Sequence, residues 1–124
     1  MIKVENLFID VLSHSKEYQE LQRSLKGGYN SILINGVTGA AISHLVFALS
    51  RDFKQTLIIT YNEIEGKRIA DDLKFFVKDK AYFFPAKEIV FYDVYAHSNE
   101  ITQERIKILD AITKNEPCVI VASV

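Results

Sequence analysis

Four short apolar runs without polar alternation constrain this chain most: Ser31–Asn35, Thr56–Tyr61, Ala81–Phe84 and Cys118–Ala122. A strand with one face in water alternates apolar and polar side chains, whereas a strand covered on both faces has no polar side. The stretches between the runs carry helical spacing instead. Ile42, Leu45, Val46 and Leu49 form one apolar face, and Ile69, Leu73, Phe76 and Val77 form a second. Asn62 with Glu65 three residues on predicts a capping box ahead of that second helix. Ile101, Ile108 and Ile112 mark a third helix, with Ser98 as its expected cap. Strand–helix alternation of this kind predicts an α/β fold, a mainly parallel sheet with helices on both faces and right-handed crossovers.

Residues 1–30 read differently. Val4, Leu7, Phe8, Val11 and Leu12 recur as one helical stripe, and Tyr18, Leu21 and Leu25 make a thinner one that Gly27-Gly28 ends. The expected organisation is a helical arm over 1–30 and an α/β subdomain over 31–124. The sequence stops at Ser123-Val124 directly after its last strand, and a parallel sheet needs cover on both faces. It is therefore expected to be a piece of a longer, multidomain protein.

The length of 124 residues suits one domain. Lys+Arg 15 against Asp+Glu 16 leaves a net charge of -1, which argues against a dedicated nucleic-acid-binding domain with a basic excess. The apolar runs are far shorter than the roughly 20 residues of a spanning helix, so no membrane partner is expected. Lys3, Glu5 and Asp10 interrupt any signal-peptide core, and the sole cysteine, Cys118, has no internal disulfide partner. Those features fit a reducing cytoplasm.

The loop Asn35–Ser43 follows the first strand candidate and opens a helix, the position where α/β proteins hold phosphate on backbone N–H groups. Against the pattern G-x-x-x-x-G-K-[ST], Gly36 and Ser43 match, Thr38 and Gly39 lie inside the loop, Ala41 replaces the second glycine and Ile42 replaces the lysine. Loss of that lysine removes a charge-assisted hydrogen bond of about 1.5–3 kcal/mol. An alanine forced into a left-handed conformation adds about 1 kcal/mol of strain. Together these predict an affinity loss on the order of a hundredfold, so no cofactor and no catalytic residue is expected here. The plain reading is a tight strand-to-helix turn with Ile42 in the core. A dinucleotide fingerprint through Gly36 and Gly39, with Glu63 as the ribose acid, lacks its third glycine at Ile42.

Other candidates have ordinary readings. His14, His44 and His97 have no ligand spacing to one another or to Cys118, so no metal is expected. Tyr82, Phe83, Phe84, Phe91, Tyr92 and Tyr95 form an aromatic cluster that a base-stacking platform would need, but only Lys87 among them is basic. Core packing for Phe83 and Phe84 is the simpler expectation. Glu63 and Lys67 have the spacing of a surface ion pair.

With these residues in view, the sequence resembles a known family. Ile34–Gly39 looks like the loop of the excision-repair helicase subunit UvrB, whose own version keeps the glycine and the lysine. Phe84–Asp93, with Pro85, Glu88, Tyr92 and Asp93, then Glu104–Leu109, with Glu104 and Arg105, and then Val119–Val124 continue the likeness in order. The broken loop together with the Pro-x-x-Glu-x-x-x-Tyr-Asp string is closer to the UvrB-like module at the N-terminus of bacterial transcription-repair coupling factors. Only Val94 to Gln103 lie where UvrB inserts a long aromatic hairpin, too few for such an insertion. The likeness covers about Ser31 to Val124. It implies a degenerate P-loop NTPase-like subdomain without catalysis, docked on neighbouring domains of its parent. By the same resemblance the parent is an ATP-driven DNA translocase that uses ATP and Mg, displaces stalled RNA polymerase, contacts DNA through other domains and recruits UvrA through the subdomain that follows. A nucleotide-binding enzyme fragment with an unorthodox loop and a DNA-contacting module are the alternatives.

Overall fold

Helix α1 (Val4–Ser13) hands over to α2 (Lys16–Lys26) at Ser15, whose hydroxyl accepts from the Tyr18 N–H at 3.3 Å and caps α2. The far end of α2 closes on glycine. Gly27 N–H donates to Arg23 O at 2.8 Å, and Gly28 takes φ 82°, a left-handed turn that any other residue resists. The computed structural model describes residues 4–86 and 95–124, in two compact units, Met1–Asp52 and Phe53–Val124.

The first unit holds α1, α2 and α3 (Ala40–Ser50) around a small core of Tyr18, Phe47 and Ala48. His44 ties two of these helices together. Its Nε2 lies 2.6 Å from the Phe8 carbonyl oxygen, and its ring meets Phe8 edge-on at 5.8 Å. The apolar stripe expected along α1 is only half used. Phe8 and Leu12 are partly buried, while Leu7 and Val11 are exposed.

One strand candidate is overturned. Ser31–Asn35 forms no strand, and Leu33 is 84% exposed. Strand residues need a hydrogen-bonded neighbour as well as β-branched side chains, and among the described residues this run has none in a sheet.

The second unit is an α/β layer: β1 (Gln55–Thr60), α4 (Glu63–Val77), β2 (Ala81–Phe84), α5 (Tyr95–Thr113) and β3 (Cys118–Ser123). The three strands pair in parallel in the order β1-β3-β2. Central β3 carries Val119, Ile120 and Val121, all buried, as its uninterrupted apolar sequence demands. Alternation then separates two faces. Thr60, Val121 and Phe83 share the face under α4, where Gly66 comes so close that a Cβ on it would lie 2.8 Å from the Phe83 ring and 2.9 Å from Thr60 Oγ1. Cys118 and Ile120 share the other face with Tyr82 and Phe84, and Ile108 of α5 packs on them.

Sequence signals fix most boundaries of this unit. Asn62 Oδ1 accepts from Glu65 N–H at 2.8 Å, as the capping pattern predicts. The Glu65 carboxylate turns to Arg68 instead of closing the box. Glu63 and Lys67 pair at 3.4 Å on the exposed side of α4. Asn115, at φ 56°, ends the turn after α5. The Ser98 cap does not hold, because α5 starts at Tyr95 and Ser98 falls inside the helix. Its buried face runs through Ile108 and Ala111, leaving Ile112 at 37% exposure.

Thr56 Oγ1 is buried with no hydrogen-bond partner among the described residues. A buried hydroxyl without a partner costs more than an apolar group of the same shape. Thr56→Val should therefore raise the unfolding free energy by about 1 kcal/mol, read as a higher urea midpoint at unchanged slope.

Candidate functional site

Two clusters carry the residues singled out by the sequence. The first is the loop that opens α3. Gly36 and Gly39 have φ 82° and 57°, and a Cβ on either would meet nothing within 4 Å. Backbone conformation, rather than space, is what requires glycine at both positions. The N–H groups just beyond are already engaged: Ala41 N–H donates to Thr38 O at 3.2 Å and Ile42 N–H to Gly39 O at 3.1 Å. An anion at this helix start would compete with those carbonyls for the same donors. Thr38 and Ala41 are exposed, Ile42 is half-buried, and Ser43 is 1% exposed inside the helix. No acidic or basic side chain lies in the first turn of α3, so the loop presents no cation to a phosphate.

The second cluster joins the end of β2 to α5. Arg105 donates from its guanidinium to the Pro85 carbonyl at 2.6 Å and lies over the Phe84 ring at 4.3 Å. Residues of two separate family-like stretches, Phe84–Asp93 and Glu104–Leu109, thus meet directly across twenty positions, and Pro85 is buried. Glu104, the neighbour of Arg105, is exposed on α5. Glu88, Tyr92 and Asp93 lie outside the described residues, as do Lys87 and Phe91 and the side chains of Tyr95 and His97.

Sequence reasoning missed the charge around the aromatic strand. Besides Arg105 on Phe84, Lys67 Nζ lies 5.6 Å from the Phe83 ring centre and Lys107 Nζ lies 6.0 Å from that of Tyr82. Three cations from two helices therefore cover three consecutive rings. Their distance in sequence hid them, since nothing local links positions 67, 105 and 107 to 82–84. Phe83 and Phe84 are half-buried rather than fully in the core.

The remaining candidates have structural roles. His14 Nδ1 lies 2.7 Å from the Asp10 carbonyl oxygen, and His44 contacts Phe8 as described. Among the described residues no three His, Cys, Asp or Glu side chains converge on a metal-sized site. Cys118 is buried, and that burial, with Glu116 adding to it, pushes its thiol up from the ordinary value. A raised thiol is a poor nucleophile near neutral pH. No helix among the described residues is long and apolar enough to cross a membrane.

Comparison with curated proteins gives one consistent likeness. Over 115 residues the chain is 24% identical to the transcription-repair-coupling factor of Bacillus subtilis (strain 168), covering 91% of this chain and 10% of the relative. The chain is similar to a segment of transcription-repair coupling factors. The same identity and coverage hold for the Staphylococcus epidermidis protein, and the Staphylococcus haemolyticus protein is 26% identical over 109 residues. The chain spans about a tenth of the length of these relatives. No protein-family model matches it, and no solved structure does.

Proposed function

We propose that this chain is a non-catalytic, UvrB-like scaffold and interaction segment of a transcription-repair coupling factor. The observation that carries the reading is the likeness over nine-tenths of the chain to one-tenth of each relative named for that function. The loop at α3 keeps glycines of a degenerate P-loop without its lysine, although no strand precedes it among the described residues. Ile42 stands where a phosphate-binding lysine would, and the adjacent N–H groups of Ala41 and Ile42 are spent on Thr38 and Gly39.

In this reading the ATP- and Mg-dependent motor, the DNA and RNA polymerase contacts and the UvrA-recruiting surface belong to other parts of the parent. This segment contributes a folded platform against neighbouring domains, in the cytoplasm. The Arg105–Pro85 contact supports the platform role, because it ties the start of the family-like string to α5.

The reading is tested by nucleotide-dependent melting. ATP with Mg, ADP and NAD at millimolar concentration should leave the melting temperature unchanged. A site filled at a hundred times its dissociation constant would stabilise the fold by about 2.7 kcal/mol, a readily seen shift. A reproducible shift that Ile42→Ala or Ser43→Ala abolishes would replace the scaffold reading with a nucleotide-binding one.

A further inference from the structure

Strand β2 is an edge of the sheet, so one side of the Ala81–Phe84 backbone pairs with no strand among the described residues. Such an edge is a template for another strand. Here it is not flat and open. It forms the floor of a groove of about 390 Å³ whose walls are α4, through Lys67 and Lys74, and α5, through Glu104 and Lys107. The groove continues past Phe83 to Pro85, where Glu63 and Glu104 line it.

The charges of the walls are not equivalent. On α4, Lys67 is paired with Glu63 and Lys74 with Asp71. On α5, Lys107 and Glu104 form no ion pair among the described residues. Lys107 sits over Tyr82 near the start of β2, while Glu104 reaches the Phe83–Pro85 end. Side chains three apart on a helix sit about 5–6 Å from each other, near the roughly 6.6 Å between same-face residues of a strand. Two opposite charges therefore lie along one face of an edge that is unpaired among the described residues.

We infer that the β2 edge binds an extended peptide segment of a partner protein by strand addition, with an acidic side chain set against Lys107 and a basic one, two residues away, against Glu104. Main-chain hydrogen bonds to β2 supply the affinity, and the charge pair supplies selectivity. A nucleic-acid strand fits less well, because the groove carries acids beside its lysines and offers no net row of cations to phosphate.

The probe is a synthetic peptide, acetyl-Thr-Val-Glu-Val-Lys-Val-Thr-amide, titrated into the 124-residue chain by NMR. Binding on the order of 100 µM is expected, with amide shifts confined to β2 and the facing walls of α4 and α5. N-methylation of one alternate set of peptide amides should weaken binding at least about tenfold, the other set far less, since only alternate amides face β2. Lys107→Ala and Glu104→Ala should each weaken it about two- to fivefold while leaving the unfolding midpoint in place. No binding at millimolar peptide, equal effects of the two methylated sets, or shifts centred away from β2 would overturn the proposal. So would an oligo-dT strand that moves the same amides when the peptide does not.

Discussion

Leu73→Ala should lower the unfolding free energy by about 2–5 kcal/mol, the largest effect expected from a single substitution here. Leu73 is 0% exposed and sits on the inner face of α4 with Ile69 and Ala70, which are also buried. Deleting its three outer carbons removes the transfer gain and leaves a void that central β3 cannot fill, because Val121, also 0% exposed, is fixed in register on both sides. A domain of this size holds about 5–15 kcal/mol in all, so the loss is a large share of its stability. Urea melts of both proteins, followed by circular dichroism, measure the loss. Leu73→Met keeps the volume and should cost less than about 1.5 kcal/mol. A cost below 1 kcal/mol for the alanine variant would mean that α4 is not locked onto the sheet.

How far the sequence reveals this molecule depends on where each element gets its specification. Helix α4 was legible because its signals are local: Asn62 before the first turn and apolar residues at 69, 73 and 76. Strand β3 was legible because a central strand has no solvent face, and its apolar run is the direct imprint of that position. Ser31–Asn35 has the same composition and is no strand, since pairing is decided by what lies beside the backbone and not by the residues in it. The arm shows the milder version of that limit. A stripe of Val4, Leu7, Phe8, Val11 and Leu12 fixes a helix, but which side of the stripe is covered depends on partners, and Phe8 won over Leu7.

The candidate site divides along the same line. The departures at Ala41 and Ile42 are visible in a single stretch, and so is the need for Gly36 and Gly39 to turn the chain. The engagement of the Ala41 and Ile42 N–H groups is not, because it follows from the conformation those glycines adopt. The cationic cover on Tyr82, Phe83 and Phe84 was hidden for a stronger reason. It is assembled from two helices that flank the strand in space on opposite faces, and the net charge of -1 averages it away.

Arg105 of α5 reaches the Pro85 end of the family-like string, and Arg105→Ala should lower stability by about 2–3 kcal/mol. Its guanidinium gives a charged donor to the Pro85 carbonyl, worth about 1.5–3 kcal/mol where water is largely excluded, and the Phe84 ring adds about 0.5–1 kcal/mol. Partial exposure of Arg105 keeps the sum at the lower end. Arg105→Lys keeps the charge but loses the planar fork that donates to the carbonyl and stacks on the ring at once, so it should recover less than half of the loss. A double-mutant cycle with Phe84→Leu isolates the ring contact, with a coupling of about 0.5–1 kcal/mol expected. The consequence for function follows from position. Pro85 directly follows β2, so releasing its carbonyl loosens the end of that strand. Amide hydrogen exchange at the end of β2 should then be faster in Arg105→Ala than in the parent chain, while the urea slope stays constant. Equal exchange rates, together with a stability loss under 0.5 kcal/mol, would reduce Arg105 to a surface residue and remove its structural link to Pro85.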